Sequence, residues 1–126
     1  MKKKILIIDD EKHISSLLKF ILERKGYEVF QANLGKEGIE LANQHNPDLI
    51  LLDVMMPQMD GYEVANILKS ENNTKEIAII MLSSAAQLKD KEKGLDCGVA
   101  DYLTKPFDKE LLLSVIEKNI SLTKKF

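Results

Sequence analysis

The feature that most constrains this chain is a repeated pattern: five short apolar runs, separated by segments whose apolar residues keep helical spacing. The first run is Ile5-Leu6-Ile7-Ile8. After it, Ile14, Leu17, Leu18, Ile21 and Leu22 follow a helical period, and Gly26 sits where a helix C-cap belongs. The second strand spans Tyr27 to Ala32 around Val29 and Phe30. A helix from about Lys36 carries Ile39 and Ala42 inward and ends at Asn46-Pro47. The third run, Leu49-Ile50-Leu51-Leu52, stops at Asp53. Met56-Pro57 marks a loop, and Asp60 with Glu63 opens a helix bearing Val64, Ile67 and Leu68 with a capping-box pattern. Ile77 to Leu82 is the fourth strand, ended by Ser83-Ser84. Gln87 to Cys97 reads as a charged, exposed helix finishing at Gly98. Tyr102-Leu103-Thr104 forms a short fifth strand, and Asp108 caps a last helix with Leu112, Val115 and Ile116 inward.

Strands of continuous apolar character, alternating with helices, belong in a parallel sheet covered on both faces. Right-handed crossovers then give a doubly wound five-stranded α/β sandwich. At 126 residues the chain suits one domain, and no linker or repeat divides it. A net charge of −2 gives no field that would draw nucleic acid. Cys97 is the only cysteine, which excludes an internal disulfide and a cysteine metal cluster. No apolar run reaches membrane-spanning length. The basic start, Met1-Lys2-Lys3-Lys4, resembles a signal peptide only until its short apolar stretch ends in Asp9-Asp10, so a cytoplasmic location is expected.

The polar residues at the strand ends carry the functional information. Asp9 and Asp10 follow the first strand, Asp53 ends the third, Ser83 ends the fourth, and Lys105 follows the fifth. In an open parallel sheet the C-terminal strand ends share one edge, where ligands bind at the topological switch point. Taken singly, Asp9-Asp10 could cap a helix, Asp53 a loop, Ser83 a strand end, and Lys105 could be a solvated surface residue. Together they place three carboxylates, a hydroxyl and an ammonium in one small region. Two carboxylates about 4 Å apart repel by ~4 kcal/mol at an effective dielectric near 20, so three need more than one lysine to compensate them. Mg²⁺ suits a few carboxylates, waters and a phosphate oxygen, and a carboxylate beside it can attack phosphorus.

The strings Ile7-Ile8-Asp9-Asp10-Glu11, Leu51-Leu52-Asp53-Val54-Met55-Met56-Pro57-Gln58-Met59-Asp60-Gly61 and Tyr102-Leu103-Thr104-Lys105-Pro106-Phe107 resemble the motifs of bacterial response-regulator receiver domains, which share the CheY-like fold. The match runs in order from near residue 4 to about residue 120. It implies a flavodoxin-like strand order 2-1-3-4-5 and a receiver over residues 1–122 with a short tail over 123–126. It also implies that Asp53 accepts a phosphoryl group from a sensor histidine kinase or phosphotransfer protein. By the same resemblance Asp10, Asp53 and the backbone carbonyl of Met55 bind Mg²⁺, with Asp9 acting through water. Lys105 pairs with Asp53 and then with the phosphoryl group, across a cis peptide to Pro106. Ser83 turns its hydroxyl to the phosphoryl oxygen, and Tyr102 swings inward behind it. Signalling to a partner or output domain would use the helix over 87–97, the fifth strand and the last helix. The kinase-facing surface would be the first helix and the loop after the fifth strand.

Other residues carry simpler readings. His13 lies in a first helical turn facing water, His45 suits a helix C-terminus, and Cys97 reads as a small apolar residue. The run Lys89-Asp90-Lys91-Glu92-Lys93 is a solvated helix face or a partner surface. Departures from the family pattern are local. Ser84 follows Ser83 where alanine is usual. Ala100 and Ser114 replace an aspartate and an arginine of a salt-bridged dimer common in transcription-factor members. Their absence argues against that dimer, although Lys91 and Glu110 remain, so the sequence leaves the oligomeric state open. Met55 and Ala85 offer no acid or amide to position an attacking water, so a long-lived phosphoryl state is expected.

Three other functions share parts of this pattern. A flavodoxin-like cofactor binder would need a phosphate-cradling loop after the first strand, where Asp9-Asp10-Glu11 repels phosphate. A Mg²⁺-dependent phosphohydrolase of the dehalogenase-like kind would place its nucleophile on the first strand with a second aspartate two residues on, whereas Asp9 and Asp10 are adjacent. A receiver-like binding module that is never phosphorylated would not need the complete set of site residues. The expectation is a protein that catalyses its own modification without being a turnover enzyme. The length fits either a stand-alone regulator or the receiver of a longer protein.

Overall fold

Ile5, Leu6, Ile7 and Ile8 are all buried, a run that is stable in a strand only where both faces of the sheet are covered. A computed structural model of the chain, describing residues 2–84 and 98–123, shows how that cover is built. The elements are β1 (Lys4–Ile8), α1 (Lys12–Arg24), β2 (Glu28–Ala32), α2 (Gly35–His45), β3 (Leu49–Asp53), α3 (Gly61–Ser70), β4 (Ala78–Ser84), β5 (Asp101–Lys105) and α4 (Lys109–Thr123). The strands form one parallel sheet in the order β2-β1-β3-β4-β5. The doubly wound architecture and strand order expected from the sequence are the ones observed. The helix expected over 87–97 lies outside the described residues, as do Ala85 and Cys97.

Because side chains alternate along a strand, the sheet feeds two cores. Ile8, Ile50, Leu52, Ile79 and Met81 pack with Ala42 of α2 and Val64, Ala65 and Leu68 of α3. Ile5, Ile7, Leu49, Leu51, Ile80, Leu82 and Leu103 pack on the other face with Leu18 and Leu22 of α1 and Leu112, Ile116 and Ile120 of α4. Leu17, grouped by the sequence pattern with the inward residues, is half exposed, and Phe20 more so. The buried stripe of α1 is centred on Ser15, Leu18 and Leu22, and Leu17 falls on its solvent-facing margin. The Arg24 guanidinium lies 5.5 Å above the Phe20 ring.

Local chemistry sets the element ends. Lys25 closes α1 and Gly26 follows at φ 94°, a left-handed turn that favours glycine. Asn46 ends α2 in the αL conformation, its amide bonded to the Ala42 carbonyl. His45 at that helix end stacks on Phe30, ring centroids 4.1 Å apart. Asp60 and Glu63 form the reciprocal capping box that the sequence predicts at the start of α3. β4 continues through Ser83 and Ser84, beyond the end expected at Leu82, because β5 runs on to Lys105 and supplies partners for both. None of the described helices is long and apolar enough to cross a membrane.

Candidate functional site

The pleat explains which polar residues meet. Asp9 follows Ile7 by two residues, Asp53 follows Leu51, and Lys105 follows Leu103, so all three continue the α1/α4 side of the sheet past its C-terminal edge. The Lys105 ammonium there reaches Oδ2 of Asp9 at 3.0 Å and Oδ1 of Asp53 at 3.1 Å. A third, longer contact runs to Oε1 of Glu11 at 3.3 Å. Asp9 is fully buried and Asp53 nearly so. The Glu11 amide donates to Oδ1 of Asp9 at 2.9 Å, and the Asn33 side-chain amide donates to the Asp9 carbonyl oxygen at 3.1 Å. Asp9 is therefore held from three directions.

One ammonium between two buried carboxylates leaves the site short of positive charge. Burial, followed by the neighbouring Asp9 charge, pushes the Asp53 carboxyl up to about 7, even though Lys105 pulls the other way. Burial works to lower the Lys105 pKa, but the hydrogen bond it donates to Asp9 and the charges of Asp53 and Asp9 outweigh it and raise the value. Asp10 is exposed at the mouth. Carboxylate oxygens of Asp9, Asp10 and Asp53 lie within 4.8 Å of one another. Hard oxygen donors, carrying more negative charge than their lysine neutralises, fit a divalent cation such as Mg²⁺.

The remaining expected residues fall beside this cluster. Ser83 stands on β4 one position beyond Leu82, the register partner of Asp53, and faces the opposite side of the sheet. Its Oγ is buried and makes no hydrogen bond among the described residues. Tyr102 on β5 pairs in register with Met81 and packs, half-buried, on the α2/α3 side, the same side as Ser83. Met55 is 62% exposed beside the site. The Lys105-Pro106 peptide is cis, as the resemblance implies.

The structure also adds residues to which the sequence analysis assigned no role. Gly61 opens α3 directly against the backbone after Asp53. A Cβ there would overlap the Asp53 carbonyl oxygen and come within 2.9 Å of the Val54 Cα. The Gly61 amide donates to the Val54 carbonyl at 2.8 Å, and the Val54 amide to the Leu82 carbonyl at 3.0 Å. Asp53 is thus clamped between β4 and the first residue of α3. A glycine directly after an N-cap aspartate was the available signal. Asn33 and Glu11 had none, because their partners lie in other segments.

Comparison with known proteins agrees with this geometry. The family model for the response regulator receiver domain matches residues 5–117. The chain is 48% identical over 111 residues to the DNA-binding dual master transcriptional regulator RpaA of Synechocystis sp., covering 88% of this chain and 46% of that protein. It is 46% identical over 107 residues to the alkaline phosphatase synthesis transcriptional regulatory protein PhoP of Bacillus subtilis, covering 85% and 44%. The chain therefore spans about half the length of these curated relatives. Among solved structures it is similar to the receiver domain of sensor histidine kinase PA1611 from Pseudomonas aeruginosa, described with a magnesium ion coordinated in its active-site cleft. That likeness has a TM-score of 0.88 at 28% identity and covers 96% of this chain and 99% of that one. With its sheet order, its clustered strand-end carboxylates and a family match over most of its length, the chain belongs to the response regulator receiver domains of two-component systems.

Proposed function

We propose that the chain accepts a phosphoryl group on Asp53, in a Mg²⁺-dependent reaction, from a phosphohistidine of a sensor histidine kinase or phosphotransfer protein. The single observation that carries this reading is the Lys105 ammonium held between Asp9 and Asp53, with an oxygen of Asp10 within reach of both. Asp10, Asp53 and the Met55 carbonyl would hold Mg²⁺, with Asp9 acting through water. The ion would supply positive charge to the phosphoryl oxygens. An Asp53 carboxylate oxygen bonds to phosphorus while the phosphorus–nitrogen bond of the donor breaks, its electron pair leaving on the imidazole. Lys105 exchanges its hydrogen bond to Asp53 for one to a phosphoryl oxygen. The buried Ser83 hydroxyl, without a hydrogen-bond partner among the described residues, provides a second donor.

The product remains attached, so the outcome is a signal and not turnover. Phosphorylation shifts a pre-existing equilibrium: Ser83 moves toward the new oxygen, and Tyr102, on the same side of the sheet one strand away, follows inward. The responding surface is β5 with α4 and the 87–97 segment, read by a downstream protein or output domain. Exposed Leu17 and Phe20 on α1 offer apolar contact to the phosphodonor. Intact mass after incubation with acetyl phosphate tests the mechanism. A gain of one phosphoryl group is expected in wild type with Mg²⁺, and none with chelator or in Asp53→Asn. No gain in wild type under any condition would reduce the chain to a receiver-shaped binding module.

A further inference from the structure

Glu11 occupies a place whose usual use it forgoes. It is the N-cap of α1, with extended backbone (φ −88°, ψ 104°), where a short acidic or hydroxyl side chain normally accepts a first-turn amide. Its side chain makes no such capping bond. The carboxylate crosses the site to the Lys105 ammonium instead, at 3.3 Å and 94 residues away in sequence. The ammonium has three hydrogens to donate, and Asp9, Asp53 and Glu11 each lie within hydrogen-bond distance of it. Two of these acceptors are buried, whereas the Glu11 side chain is 61% exposed. It therefore stands at the mouth, between solvent and the cation that a phosphoryl group must reach.

We infer that Glu11 is a positioning residue that holds the Lys105 ammonium on the α1 side of the site and disfavours free anionic phosphoryl donors. The inference rests on Asp53 being the phosphoryl acceptor. A donor needs one of the Lys105 hydrogens for a phosphoryl oxygen, and Glu11 competes for it. A small donor such as acetyl phosphate also brings its own negative charge past an exposed carboxylate before any contact can compensate. Charge repulsion at such a distance slows encounter by a modest factor that salt screens.

The test compares Glu11→Gln, Glu11→Asp and the control Glu23→Gln in the full chain. Glu23 pairs with Lys19 at the far end of the same helix. Phosphorylation by acetyl phosphate with Mg²⁺ is followed by intact mass at low and high salt. Glu11→Gln is expected to raise the apparent second-order rate constant about threefold at low ionic strength, a gain that shrinks with added KCl. Glu11→Asp keeps the charge but shortens the reach, so it relieves the competition for Lys105 and not the repulsion, and its rate should lie between those of wild type and Glu11→Gln. Glu23→Gln should match wild type, and all variants should share its Tm. An unchanged or lowered rate in Glu11→Gln would overturn the discrimination against anions. The positioning role has its own readout, the Lys105 side-chain NMR resonances without metal or donor. Both Glu11 variants should shift them and Glu23→Gln should not; unshifted resonances would overturn the tether. If wild type takes no phosphoryl group, the acceptor reading fails, and the Lys105 resonances still decide the place of Glu11.

Discussion

Asp53 is a buried carboxylate beside a second one, Asp9, with Lys105 between them. Its carboxyl is raised from the ordinary 3.8 to about 7 by burial and by Asp9. A carboxyl raised on folding binds its proton more tightly in the folded state, which favours folding at low pH. That advantage is fully present below the unfolded value near 4 and is lost as pH rises through about 7. Removing the charge should therefore help only where the group is ionised. In chelator, Asp53→Asn is expected to stabilise the protein by on the order of 2 kcal/mol at pH 8 and by almost nothing at pH 4. Thermal unfolding at the two pH values measures this, and equal effects would contradict it. Gly61 acts on the same residue through space. Gly61→Ala forces a Cβ into the backbone at Asp53 and Val54, an overpacking that should cost about 2 kcal/mol. With Asp53 as the proposed phosphoryl acceptor, displacing it should slow phosphorylation by about tenfold or more. Denaturant melts and intact-mass kinetics on one preparation separate the two effects.

At the scale of elements, the caps decide where the site begins. The Asp60–Glu63 box fixes the first turn of α3, whose Gly61 amide donates to the Val54 carbonyl. Asp60→Ala should lower stability by about 1 kcal/mol with an unchanged denaturant m-value, since it removes a local bond and leaves the two cores intact. The far end of α3 is tied by other means. The buried Thr74 hydroxyl donates to the Leu68 carbonyl at 2.6 Å, and the Lys69 ammonium reaches the carbonyls of Lys75 and Ile77. Burial lowers the Lys69 pKa, with the Glu76 charge opposing. The capping box was legible because its two residues lie three apart in one segment. The Lys69 and Thr74 contacts were not, because nothing in an ordinary lysine or threonine marks it for a particular carbonyl.

For the molecule as a whole, the sheet edge gathers more negative charge than its own lysine neutralises, so the fold should be coupled to metal. Mg²⁺ at about one hundred times its dissociation constant is expected to raise stability by about 2.7 kcal/mol, and Asp10→Asn should remove most of that gain. Unfolding in Mg²⁺ and in chelator reads it directly; a Tm indifferent to Mg²⁺ would argue against the ion site. What the sequence determined by itself was the periodic part. Apolar runs such as Ile5 to Ile8 and Leu49 to Leu52 require a sheet covered on both sides, and a parallel sheet puts Asp9, Asp10, Asp53, Ser83 and Lys105 at one edge. Such readings need only local spacing and one topological rule. Only the tertiary structure decided that Leu17 faces outward, that Asn33 and Glu11 hold Asp9 and Lys105, and that α3 starts on the backbone of Asp53. Each of these depends on which segments become neighbours at a distance of a few ångströms, a quantity set by packing the whole chain and carried by no single stretch of it.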